Sequence, residues 1–166
     1  MTLQLVDTMH EHLTEANNRW PRDGWTTAEG RAGILEKRLA RAVGPREVEF
    51  SISSVTEEDA SGVHFAATLF TADLVISGAL HATNEQIAPR DLTGDVVIVP
   101  RSALRSLTLH QVEYFGNDNE ATEDHVSFTA TYEGMAPVVV GPPSSGSRRG
   151  ATSRLFDALQ ADLAQV

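Results

Sequence analysis

The chain has 166 residues, no cysteine and a formal net charge of −10. That length suits one domain with a self-sufficient core, and the missing thiols exclude disulfide staples, thiolate metal sites and cysteine nucleophiles. The charge is uneven: residues 1–45 hold six basic and six acidic side chains, residues 46–166 seven and seventeen, so the later part repels phosphate backbones and anionic headgroups.

In chain order, Leu3, Val6, Met9 or His10, and Leu13 recur at helical spacing. Pro21 and Gly24 interrupt the segment. Thr26 and Glu29 have the spacing of a capping box, which opens a second helix. Its apolar stripe is Ile34, Leu35, Leu39, Ala42 and Val43, and Gly44-Pro45 stops it. The period then changes to two. Val48, Phe50 and Ile52 alternate with Glu49, Ser51 and Ser53, which predicts a strand over 48–55 with the serines on a wet face. Further strands are predicted over 63–70, 74–80, 96–99, 104–115, 126–132 and 137–140. Pro100 suits a helix start, so 101–107 reads either as a helical turn or as a bulge leading into a strand. The strand formers Thr108, Val112, Tyr114 and Phe115 favour the strand. Residues 141–150 form a flexible connection. A closing amphipathic helix over 153–166 gathers Leu155, Phe156, Leu159, Leu163 and Val166 on one side.

Few residues carry a chemical signature. His10 and His12 point in different directions on a helix, so they are poor joint ligands. His64, His81, His110 and His125 lie on separate strands without a metal-ligand spacing. The acidic run Asn117 to Asp124 lacks the central glycine and terminal glutamate of a calcium loop. No phosphate-binding glycine loop and no nucleophile elbow occurs. The expectation is therefore no catalytic residue, no metal and no cofactor. Two patches stand out. Trp20, Arg22 and Trp25 combine the residue types enriched at interface hot spots, although the simpler reading is that the indoles anchor the interhelical turn. Ser147, Arg148 and Arg149 precede the last helix, where guanidiniums and backbone amides can hold an anion.

Seven strands followed by one C-terminal amphipathic helix resemble the pleckstrin-homology-like superfold over residues 46–166, and Val97 to Leu107 looks like the mid-domain strand pair of its bacterial members. The resemblance implies binding of lipid headgroups, peptides or proteins. Headgroup-binding members use basic residues in the first hairpin loop. Here that loop is Glu57-Glu58-Asp59-Ala60-Ser61-Gly62, so protein binding is what the resemblance leaves. Two other likenesses make different demands. A secretion-type dimeric chaperone requires a helix across 100–107. A helix-grip, START-like protein with an apolar ligand requires a strand over 3–6.

The fold class expected is α+β. Two N-terminal helices occupy 1–45, and about seven antiparallel strands with one closing helix occupy 46–166, as a bent sheet or small barrel in one compact unit. The function expected is a non-catalytic protein-binding or scaffolding module. Its partner is another protein, neither nucleic acid nor membrane, with a homodimer as a further possibility. Apolar runs far shorter than the ~20 residues of a membrane span, and the lack of a leader pattern, place it in the cytoplasm by expectation.

Overall fold

The three- and four-residue period does build helices. The computed structural model, which describes residues 3–21, 29–58, 62–82, 94–113, 125–141 and 150–164, has α1 over Leu3–Ala16 and α2 over Glu29–Val43. Seven strands follow: β1 Phe50–Glu58, β2 Gly62–Phe70, β3 Leu74–Ala82, β4 Val96–Pro100, β5 Leu104–Glu113, β6 His125–Tyr132 and β7 Val138–Val140. Helix α3, Ala151–Leu163, closes the order. The strands make a four-stranded sheet, β1-β2-β3-β4, and a three-stranded sheet, β5-β6-β7. They form two open sheets, not a closed barrel. The chain divides into two compact units, Met1–Ile98 and Val99–Val166.

In the first unit β1, β2 and β3 form an antiparallel meander in continuous register. One face carries the rows Ser51/Leu69/Ile76, Ser53/Ala67/Gly78 and Val55/Phe65/Leu80. Helix α1 packs on β1 and α2 on β3. The expected wet face of β1 is corrected here. Ser51 and Ser53 are buried, and their hydroxyls donate to the carbonyls of His12 (3.1 Å) and Leu13 (2.7 Å) at the end of α1. The Leu13 carbonyl also accepts from the Asn17 amide at 3.1 Å, so Ser53 is a second donor to it, and a small hydroxyl residue lets the helix end reach the sheet. The Asn17 side-chain amide returns a bond to the Ser53 carbonyl at 3.0 Å. Gly78 has the same role beneath α2: a Cβ there would lie 2.9 Å from Leu35 Cδ1 and 3.1 Å from Leu39 Cδ2.

The β2–β3 turn is set by Thr71, whose hydroxyl accepts from the Leu74 amide at 2.9 Å. Asp73 in that turn accepts two bonds from Arg46 Nε, at 3.1 and 3.0 Å. The Arg46 hydrogen bond holds the Asp73 carboxyl below its ordinary range. Gly94 has φ +143° and passes so close to β3 that a Cβ would overlap the Ala79 carbonyl. Its own carbonyl accepts from Arg38 Nη1 at 2.7 Å.

The second unit settles the ambiguous stretch. Arg101–Ala103 is a single 3₁₀ turn after Pro100, and β5 starts at Leu104. Helix therefore covers three residues of 100–107, and residues 3–6 lie within α1. Strands β5 and β6 pair antiparallel with register shifts after Leu104 and after Leu109, and β7 pairs with β6. Helix α3 packs on β5 and β6. Leu155, Leu159 and Thr152 are buried beneath it. Phe156 meets Phe128 edge-on at 5.2 Å. Thr152 Oγ1 accepts from the Val126 amide at 3.2 Å, which fixes the start of α3 against the start of β6.

Two glycine substitutions separate backbone from side-chain constraint. Gly94→Ala is expected to destabilise by at least about 2 kcal/mol, because the clash is with backbone and the φ disfavours an L-residue. Gly78→Ala is expected to stay within about 1 kcal/mol, since only flexible leucine and valine tips must shift. Urea unfolding of both variants measures the difference.

Candidate functional site

Three features gather polar or apolar groups in a way local structure alone does not require. The first joins α1, the turn after it, and α2. Glu36 lies between Leu35 and Leu39 on the inward side of α2, and is 6% exposed. Its Oε1 accepts from Trp20 Nε1 at 2.8 Å and contacts His10 Nδ1 at 2.8 Å. Since a carboxylate accepts, the proton of a neutral His10 ring sits on Nδ1 and leaves Nε2 as the acceptor. Trp20 is 1% exposed and packs edge-on against Phe65 at 5.7 Å. An indole N–H buried there needs an acceptor, and Glu36 supplies it. This buried carboxylate is a tie between three segments, with a half-exposed imidazole on its outer side.

The expected interaction patch is thereby divided. Trp20 is a core residue whose indole anchors the turn, and offers no exposed surface. Arg22 and Trp25 lie outside the described residues, as do the anion candidates Ser147, Arg148 and Arg149, the capping residue Thr26 and residues 59–61 of the acidic 57–62 loop. Gly150, at φ 72°, leads into α3 without a side-chain cap.

The second feature is in the unit formed by residues 99–166. Arg101 is 7% exposed. Its Nε and Nη2 both donate to Asp162 Oδ2 of α3, each at 2.8 Å. Beside this pair the Tyr132 hydroxyl is buried without a hydrogen-bond partner among the described residues. Burial pushes the Tyr132 phenol well above its ordinary range; Arg101 opposes that shift and Asp162 adds to it.

The third is the outer strand of the three-stranded sheet. Directly paired residues share a face, and Phe128 faces α3 through Phe156. Leu107, Leu109 and Val112 of β5 are therefore on the helix-bearing face, opposite Ala130, Phe128 and Val126. Their β6 partners are buried, yet Leu109 is 49% exposed and Val112 38%. The apolar face extends past the area that α3 covers, out to a strand with no second strand partner among the described residues. On the opposite face lie Thr129, His110, whose Nε2 meets Thr129 Oγ1 at 2.7 Å, and Val139.

Sequence reasoning assigned Leu109 and Val112 to a strand and did not mark them as exposed. Glu36 left a readable signal, an acidic residue inside an apolar stripe. Arg101 and Asp162 lie 61 positions apart and left none. No helix among the described residues is long and apolar enough to cross a membrane. A comparison of the chain with known families, with curated proteins and with solved structures finds no match.

Glu36→Ala is expected to cost about 2–3 kcal/mol, because it strands a buried indole N–H, while Glu36→Gln, which keeps an acceptor, is expected to cost about half that. Denaturant unfolding followed by tryptophan fluorescence reads both. Tyr132→Phe removes an unpaired buried hydroxyl and is expected to be neutral or stabilising by up to about 1 kcal/mol. The unfolded phenol ionises near pH ~10 while the native one stays protonated. Its contribution is full below that pH and declines as pH rises further. Tyr132→Phe therefore flattens the alkaline loss of stability, measured by unfolding between neutral and strongly alkaline buffer.

Proposed function

We propose that the protein is a non-catalytic binding module that takes an extended segment of a partner protein alongside β5. The observation that supports this reading is the half-exposed apolar row Leu107, Leu109 and Val112 on the helix-bearing side of an edge strand. An edge strand offers unpaired amides and carbonyls to an incoming strand. A row of apolar side chains beside that edge selects alternating apolar residues in the segment. The acidic surplus of residues 46–166 favours basic residues at the intervening positions.

The pleckstrin-homology-like resemblance is part of this proposal. A meander of four strands, a second sheet of three and a helix packed on the second sheet support it, as does the acidic character that sets lipid headgroups aside. The chaperone and helix-grip readings draw less support, since each asks for a helix or strand where the chain has the other.

A display selection of random peptides against the full-length chain tests the proposal. Selected peptides are expected to alternate apolar and basic residues and to shift the amide resonances of 104–113. Leu109→Glu and Val112→Glu are each expected to weaken binding by about tenfold or more, near 1.4 kcal/mol. Val139→Glu, on the opposite face, is expected to leave binding unchanged. Peptides that bind Leu109→Glu as well as the unaltered chain would refute the site.

A further inference from the structure

We infer that the segment taken by β5 runs antiparallel to it and bonds to its backbone at Leu107 and Leu109, over a short span set by the bulges of β5 itself. The inference rests on the docking reading above and adds direction, register and the chemical pattern of the segment.

The backbone groups of successive strand residues point to opposite edges, so hydrogen-bonded and non-hydrogen-bonded pairs alternate along an antiparallel ladder. The Glu133 amide donates to the Ala103 carbonyl at 3.0 Å. Glu133 is therefore turned toward β5, and so are Thr131, Thr129, Ser127 and His125 of β6. The residues between them are turned away. Val126 agrees with this count, since its amide donates to Thr152 Oγ1 at 3.2 Å. Ser106/Thr131, Thr108/Thr129, Gln111/Ser127 and Glu113/His125 are then the hydrogen-bonded pairs, and Leu107/Ala130, Leu109/Phe128 and Val112/Val126 are not. The N–H and C=O groups of Leu107, Leu109 and Val112 point to the outer edge of β5, where no second strand pairs among the described residues. The residues with the half-exposed apolar side chains are thus the ones with outward backbone groups.

Bulges limit how much of that edge one strand can use. Register shifts leave Arg105 and His110 without partners on β6. Before Arg105, the Leu104 amide already donates to the Arg101 carbonyl. After Leu109 the next outward residue is Val112, three positions on instead of two, so a regular strand bonded at Leu107 and Leu109 falls out of step there. An antiparallel strand exchanges both bonds with each residue it faces, and two of its residues satisfy Leu107 and Leu109 together. A parallel strand has slanted bonds and must extend further to reach the same groups. With one residue between the bonded two and one on each side, the segment is about five residues long. Directly facing residues share a side of the sheet, so the bonded two lie beside Leu107 and Leu109 and are apolar. The intervening residues lie on the side of Thr108 and Glu113. The acidic surplus of residues 46–166 makes them basic, and the antiparallel direction starts the segment at the Glu113 end.

The probe is the end-blocked peptide Arg-Val-Arg-Val-Arg, titrated into the full-length chain. At saturation it is expected to slow hydrogen exchange of the Leu107 and Leu109 amides by about tenfold or more, and to change that of Thr108, already bonded to β6, much less. Methylating the backbone nitrogen of either valine is expected to weaken binding by about tenfold or more, because those N–H groups face β5. Methylating the central arginine nitrogen, which faces away, is expected to leave binding unchanged. The reverse methylation pattern is that of a parallel strand and overturns the inference. So does protection confined to residues other than Leu107 and Leu109, or no binding of this peptide at millimolar concentration. If peptides from the display selection still bind at 104–113 and still fail on Leu109→Glu, the docking reading survives and only the register falls. If that dependence is lost as well, both fall.

Discussion

The first unit depends on one row of small residues across its sheet, Ser53, Ala67 and Gly78. A helix packs on a sheet only as closely as the side chains between them allow. Here the row nearly removes those side chains, so Leu35 and Leu39 descend onto Gly78 and the last turn of α1 descends onto Ser51 and Ser53. The close approach has a polar consequence. Carbonyls near the end of α1 are carried into the interior, where the serine hydroxyls donate to them beside the amide that Leu13 already accepts from. It also brings Glu36, one position from Leu35, under cover. A carboxylate there is tolerable only with donors around it, and Trp20 and His10 supply them from α1 and the turn that follows.

The second unit is arranged differently. One short helix covers a three-stranded sheet, and Leu155 and Leu159 are fully engaged in doing so. Leu155 and Leu159 hold the inner side of α3 on the sheet, while Phe156 and Leu163 of the same stripe are part-buried. The surface left over is on the strand. Leu109 and Val112 are on the same face as the buried Phe128 and Val126, one strand further out. A sheet wider than its helix has an apolar margin, and a margin on an outer strand is where a partner strand gains both hydrogen bonds and burial. The proposed function follows from that geometry and from the acidic charge around it.

Much of the fold was legible because periodicity is a local property. Alternation over Val63 to Phe70 and Leu74 to Leu80 marks β2 and β3 within two residues of their observed bounds, and Gly44-Pro45 ends α2 where a left-handed glycine is needed. Facing was less legible. Ser51 and Ser53 read as a wet face because serine is usually solvated, and they are buried because the end of α1 packs onto them. The Trp20 residue types allowed either an interaction patch or an anchor for the interhelical turn, and the indole is the anchor, buried with its N–H donating to Glu36.

What the sequence by itself determined is the type and order of the elements, the acidic balance of residues 46–166 and the absence of thiol chemistry. These follow from neighbours a few positions apart and from composition. Tertiary structure decided everything that joins distant positions. It paired Arg101 with Asp162 and Glu36 with Trp20, set His64 opposite His81, and left Leu109 uncovered while burying Phe128 beside it. The physical reason is that burial and register depend on which surfaces meet. A strand's own pattern states its two faces, but only packing decides which face is covered and how far the cover extends.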